Sequence, residues 1–194
     1  MQRVMGGPEG SLWHPGYFTG RFYTPNPAPS TDLLITASQL YYAPITIYKT
    51  CTIDQLIVRT SVAGSAGARA RLGLYADNGS GQPVSLLSAC TVEINVDSGA
   101  PAALTGTLTT PQIVRPGLVW AAMATDAAAT QGTFRASLAM GGAGYIIGAS
   151  TAANALTGAG CTGYSHAYAY AALPATASAL SSSGVTPFFA FRVA

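Results

Sequence analysis

Charge is what this sequence has least of. Asp, Glu, Lys and Arg make up 8% of its 194 residues, against about 25% in an ordinary soluble domain. The formal net charge is only +2. That is too little for the clustered basic face of a nucleic-acid-binding protein. It also suits a chain held in a larger assembly better than a free cytosolic monomer kept in solution by its charge. Lysine is almost missing, since Arg outnumbers it eight to one. Arginine's planar fork makes several hydrogen bonds at once and is favoured at protein interfaces.

Metal-binding residues are as scarce. His14 and His166 are the only histidines and show no ligand spacing. Cys51, Cys90 and Cys161 are odd in number and lack a CxxC pair, so no metal centre or disulfide framework is expected. Cys51 and Cys90 can pair only if their strands are neighbours, which spacing leaves open. The plain reading is three partly buried thiols in a protein made in a reducing cytoplasm. No apolar run approaches the about 20 residues of a membrane span, and residues 1–10 lack the apolar core of a signal peptide. Membrane insertion is therefore not expected. Seven carboxylates are present: Glu9, Asp32, Asp54, Asp77, Glu93, Asp97 and Asp126. None sits in a catalytic motif, whereas a glycan-cleaving enzyme needs two across a cleft. The Gly-rich stretches at 141–144 and 158–160 have no lysine and no strand–loop–helix setting, so no phosphate or cofactor site is expected. Asp77-Asn78-Gly79 lacks the later acidic ligands of a calcium loop and reads as a plain turn. The expectation is no catalytic residue, no metal and no cofactor.

What is present is strand pattern. In residues 68–75, Ala68, Ala70, Leu72 and Leu74 alternate with Arg69, Arg71, Gly73 and Tyr75. The period of two predicts a strand with the aliphatic face buried and the Arg/Tyr face wet or in contact with a neighbour. The Asp77–Gly81 stretch stops it, and Pro83 follows. Residues 32–48 place Leu40, Tyr42, Pro44 and Thr46 on one face and Tyr41, Ala43, Ile45 and Ile47 on the other, with Pro44 predicting an edge or bulged position. Residues 52–62 set Leu56, Val58, Thr60 and Val62 against Ile57, Arg59 and Ser61. Residues 84–96 read as one strand with Val92, Ile94 and Val96 together, and Thr-rich 104–110 as an edge. The run Leu118–Met123 is apolar throughout, as in a strand buried on both faces. Residues 132–139 and the closing 187–194 also alternate, while 140–163 and 173–184 read as loop. Many short strands with no amphipathic helix predict an all-β, antiparallel β-sandwich over residues 31–194.

Residues 1–30 differ. They are rich in Gly and Pro, yet carry Trp13, Tyr17, Phe18, Phe22 and Tyr23. Too broken for a helix and too aromatic for a solvated tail, they read as a docking arm and Pro-rich linker. Residues 17–23 are expected to form an edge strand with Gly20 as a bulge.

The segment RLGLYADNGSGQP (71–83), Pro116-Gly117-Leu118-Val119-Trp120, Ala171-Ala172-Leu173-Pro174-Ala175-Thr176, the closing FRVA and the aromatic arm before Leu40-Tyr41-Tyr42-Ala43-Pro44 resemble tailed-phage virion proteins. These are small tail-fibre, head-fibre and adsorption proteins with a jelly-roll-like β-sandwich. The resemblance covers residues 17–194 and is one of strand ends and turns. It implies a non-enzymatic protein of the virion surface, commonly a homotrimer, in contact with other virion proteins and with host surface polysaccharide. A capsid-decoration or baseplate and tail connector role without host ligand is the alternative.

Tyr164, His166, Tyr168 and Tyr170 alternate with small residues, which on one strand puts all four side chains on one face. Such a row can stack on sugar rings and bind glycan, or it can be core or subunit contact, where Tyr is enriched. The core or contact reading is preferred. Trp13, Tyr17, Phe18, Phe22 and Tyr23 are expected to dock on another virion protein or a sister subunit.

Overall fold

The computed structural model describes residues 16–24, 31–97, 99–126, 130, 132–138 and 161–194. Trp13, the proline linker and most of the Gly-rich 140–163 stretch lie outside them.

The fold is an antiparallel β-sandwich. Sheet A contains β1 (Phe22–Tyr23), β2 (Thr31–Leu34), β4 (Cys51–Val62), β8 (Ala102–Val114), β10 (Thr133–Leu138), β13 (Val185–Pro187) and β14 (Phe189–Val193). Sheet B runs β12 (Ser181–Ser183), β11 (Gly163–Ala167), β3 (Gln39–Ile47), β9 (Gly117–Thr125), β5 (Arg69–Asp77), β6 (Pro83–Ala89), with β7 (Ile94–Asn95) also on β5. The chain changes sheet at β2–β3, β3–β4, β4–β5, β7–β8, β8–β9, β9–β10, β10–β11 and β12–β13, the alternation of a jelly-roll-like sandwich.

The predicted alternations place the inner faces. Tyr41, Ala43, Ile45 and Ile47 of β3, Leu56 and Val58 of β4, and Leu72 and Leu74 of β5 meet between the sheets in one continuous core. Each such side chain, fully buried, contributes about 1.5–3 kcal/mol through apolar area removed from water. The other faces of β3 and β9 are buried too: Leu40, Tyr42, Trp120, Ala122 and Ala124 belong to a second cluster outside sheet B. The apolar run of β9 therefore does mark a strand covered on both sides. Pro44 pairs with Trp120 of β9, but the β11 pairing ends at Tyr42, so its other flank is a local edge. β8 lies at an edge of sheet A, as its threonines predict, pairing with β4 along its length.

Three expectations need correction. Residues 84–96 are not one strand: β6 ends at Ala89, and Cys90 and Thr91 turn to β8, with Cys90 donating to Leu72 O and Thr91 to Thr107 O. That excursion leaves Val92 67% exposed, while Ile94 and Val96 return to the core. Val62 is 56% exposed, because a register shift beside Thr133 and Phe134 breaks the alternation at the end of β4. Tyr75 does not stand on a wet face; it is 0% exposed.

The cysteines are free thiols. Burial pushes the Cys51 thiol up to about 11 and the Cys90 thiol up to about 12. Both are therefore protonated and unreactive at neutral pH.

Candidate functional site

The aromatic stripe is the feature with the most chemistry, and the structure divides it. β11 ends at Ala167, so Tyr164 and His166 lie on a strand, whereas Tyr168 and Tyr170 belong to an irregular strap, residues 168–180. The expectation of four residues on one strand is corrected: Ala167 pairs with Gln39, where β3 begins after Ser38 at φ +62°, so no partner backbone continues the ladder. The strap folds over the outer face of sheet B. Tyr168 N donates to Ser38 O at 2.8 Å, Ala177 N to Val84 O at 2.7 Å, and Leu86 N of β6 to Ala175 O at 2.9 Å. It is thus stitched to both flanks of the sheet.

Beneath it lies a packed aromatic cluster. Tyr42 and Tyr75 meet edge-on with centroids 5.1 Å apart, and His166 stacks on Tyr42 at 5.6 Å. Tyr168 closes edge-on over His166 at 6.2 Å. The Tyr75 hydroxyl donates to Pro174 O at 2.7 Å, and Tyr168 Oη lies 2.7 Å from the carbonyl oxygens of both Ala171 and Ala172. Arg71 packs over the Tyr170 ring, 5.4 Å from its centroid, and bridges to Glu93 at 2.6 Å. Burial raises the pKa of Tyr42, Tyr75 and Tyr170 far above the usual phenol value, so all three stay neutral. Sequence reasoning missed Tyr42, Tyr75 and Arg71 as members of this cluster. Their signal was the alternation of β3 and β5, which groups Tyr42 with Leu40 and Tyr75 with Arg71.

His166 is 8% exposed and its Nδ1 has no hydrogen-bond partner. Burial lowers its pKa. A buried ring cannot touch a sugar, so His166 leaves the candidate glycan row. Tyr168 and Tyr170 are half-buried parts of the strap, and Tyr164 is half-exposed at the rim, 5.5 Å from the Trp120 ring.

At that rim the Asp77 turn has a structural task. One carboxylate oxygen accepts the Trp120 indole N–H at 2.8 Å, and the other accepts Gly79 N at 2.7 Å. Asn78 Oδ1 accepts Ser80 N and Gln82 N, which closes the turn on itself. Asp77→Ala is expected to cost about 2–3 kcal/mol, because it strands a buried indole donor and loosens the turn. Asp77→Asn is expected to cost less than half of that. Urea unfolding followed by Trp120 emission measures both.

The other described carboxylates are engaged in the same way. Asp32 bridges to Arg135, Asp54 to Arg192 and Glu93 to Arg71. Asp97 accepts Gly67 N, and Asp126 accepts Arg69 N. Among the described residues no group of three or more His, Cys, Asp or Glu is placed to hold a metal ion. A small pocket beside Pro44, lined by Ser137, Thr186 and Phe189, offers about 10 Å³, room for a water and not for a sugar ring.

The arm divides as well. Tyr17 and Tyr23 pack against each other at 4.8 Å and against Phe191, each 5.8 Å away. β1 pairs with β14 as an edge strand, Phe22 opposite Arg192. The expectation that these aromatics dock elsewhere is corrected for Tyr17 and Tyr23, which cover the end of this chain's own core. Phe18 and Phe22 stay 62% and 59% exposed. Gly20, with φ +74°, sits in the turn before the strand rather than in a bulge.

No protein-family model and no curated protein sequence matches this chain.

Proposed function

We propose that this chain is a non-enzymatic structural protein of a tailed-phage virion or phage-like particle, and that it works as an assembly element of the capsid-decoration or connector kind. The carrying observation is the outer face of sheet A. Rows of paired residues there read Phe22, Arg192, Gln55, Thr107 and Ala190, Ile57, Thr105. Arg192 is neutralised by Asp54. Unlike the outer face of sheet B, these rows are covered by no strap among the described residues. A broad sheet face with so few charges suits contact with sister subunits or other virion proteins better than it suits open water. The engaged carboxylates favour this reading over glycan cleavage.

A second reading, a fibre or spike protein adsorbing to host surface glycan, is favoured by Tyr164. Its ring is half-exposed, close to Gln82 and Asp77. Such a site is shallow and weak alone and gains from repetition by oligomer symmetry.

The test is a double substitution, Thr105→Arg with Thr107→Arg, on exposed positions of β8. The unfolding midpoint is expected to stay within about 0.5 kcal/mol of the parent, as for surface changes generally. Light scattering is expected to show a homotrimer, or another closed oligomer, for the parent chain and a monomer for the variant. A parent that is monomeric, or a variant that assembles unchanged, overturns the assembly reading. Loss of glycan-array binding on Tyr164→Ala, with assembly intact in the double variant, moves the assignment to the second.

A further inference from the structure

The cluster under the strap contains one group that changes charge in mildly acidic solution. We propose that His166 is an acid-operated latch: its protonation releases residues 168–180 from sheet B and uncovers the aromatic face of Tyr42, Tyr75 and Trp120, while the sandwich stays folded.

The geometry supplies the argument. His166 is clasped between Tyr42 of β3 and Tyr168 of the strap, so the ring touches both parts that must separate. Its register partner on β3 is Leu40, which is fully buried. The titratable groups packed around it are Tyr42 from β3, Tyr75 from β5, and Tyr168 and Tyr170 from the strap. Burial raises the pKa of all four tyrosines, and none becomes an anion in acid. The charge placed against the strap tyrosines is Arg71, a cation, which lies against Tyr170 and acts on Tyr168. Glu93, the carboxylate of this neighbourhood, is held by Arg71. An imidazolium here therefore meets no anion. The ring faces attract it, but the lost hydration and the unpartnered Nδ1 oppose it.

The sign follows. The folded His166 pKa lies below its ordinary 6.5. Strap closure is then at full strength above 6.5 and is lost as pH falls through the folded value. In that window the closed-to-open ratio falls by about tenfold per pH unit. The sandwich survives opening because its core lies between the sheets, and the strap's Leu173 belongs to the separate outer cluster. Local opening of a weakly tied unit at lower cost than global unfolding is ordinary protein behaviour.

Hydrogen exchange of the full chain, corrected for intrinsic rates, is measured from about pH 7 to about pH 4.5, across the range in which a histidine changes charge. The reporting amides are Tyr168, Leu86 and Ala177, whose acceptors stitch the strap. Their protection is expected to fall by about tenfold for each pH unit between the ordinary histidine value and the lower folded value, while amides of β4 and β9 keep theirs. His166→Phe is expected to abolish that fall, and Glu93→Gln is expected to keep it. A strap equally protected at both pH values, or a fall that persists in His166→Phe or vanishes in Glu93→Gln, overturns the proposal. Should His166→Phe fail to fold, the parent decides. The imidazole of His166, followed by NMR beside that of His14, must titrate below the ordinary histidine value, at the lower end of the pH window over which the strap amides lose protection. Titration without loss of protection rejects the latch.

Discussion

Replacing Leu72 by Asp is expected to unfold the sandwich. Leu72 is 1% exposed at the centre of β5, and across the sandwich it faces Gly106 of β8. A Cβ on Gly106 would stand 3.3 Å from a Leu72 methyl and 2.6 Å from Cys90 Sγ. The two sheets close over Leu72 because the facing position has no side chain. An aspartate there has no arginine to pair with, since Arg69 and Arg71 point from the opposite face of the strand to Asp97 and Glu93. Loss of the leucine and burial of an unpaired carboxylate together cost about 5 kcal/mol or more, comparable to the ~5–15 kcal/mol that holds a whole domain. Far-UV circular dichroism in urea measures it. Leu72→Met, which keeps volume and polarity, is expected to lose less than about 1.5 kcal/mol. An unchanged midpoint in Leu72→Asp would mean that the register of β5 is inverted.

That register was legible because each side chain in an alternating strand has only two directions to choose from. The same logic placed both faces of β3, the inner face of β5 and the doubly buried β9. It failed where backbone geometry departs from a regular ladder. The excursion at Cys90 and Thr91, where Thr91 N reaches Thr107 O of the other sheet, and the shift at Thr133 within sheet A are irregularities of which periodicity carries no trace. The stripe was half legible. His166 is core and Tyr164 stands at the rim, but a row of alternating aromatics does not reveal that its second half leaves the strand as part of a lid. Outward-facing Tyr42 and Tyr75 were hints. Two large aromatics on the outer face of one sheet need a cover, and the apolar Leu173 in an alanine-rich loop supplies it. The arm was half legible: an edge strand was expected and β1 pairs with the last strand, but nothing in its pattern showed that Tyr17 and Tyr23 cover this chain's own core.

Gly73→Val is expected to lift the strap at neutral pH without unfolding the sandwich. Gly73 stands on the outer face of β5, between Arg71 and Tyr75, where a strand has no conformational need for glycine. The need is space. A Cβ there would lie 2.4 Å from a Leu173 methyl, 3.2 Å from a Leu86 methyl and 3.3 Å from Ser88 O. The leucine ends can swing aside for a single methyl, but the Ser88 carbonyl is backbone and closes the other side, so a branched side chain evicts Leu173. Loss of that buried leucine and of the tyrosine contacts around it costs about 2–4 kcal/mol, charged to the strap and not to the core between the sheets. Limited proteolysis is expected to cleave within residues 168–180 of the variant and to spare the parent, with far-UV circular dichroism unchanged. Gly73→Ala is expected to lie between the two. Combined with Leu173→Ala, it should cost less than the sum of the single changes, because the second removes the atom the first collides with. Strict additivity would show that Gly73 and Leu173 do not share the space, and that the strap is seated by its backbone hydrogen bonds alone.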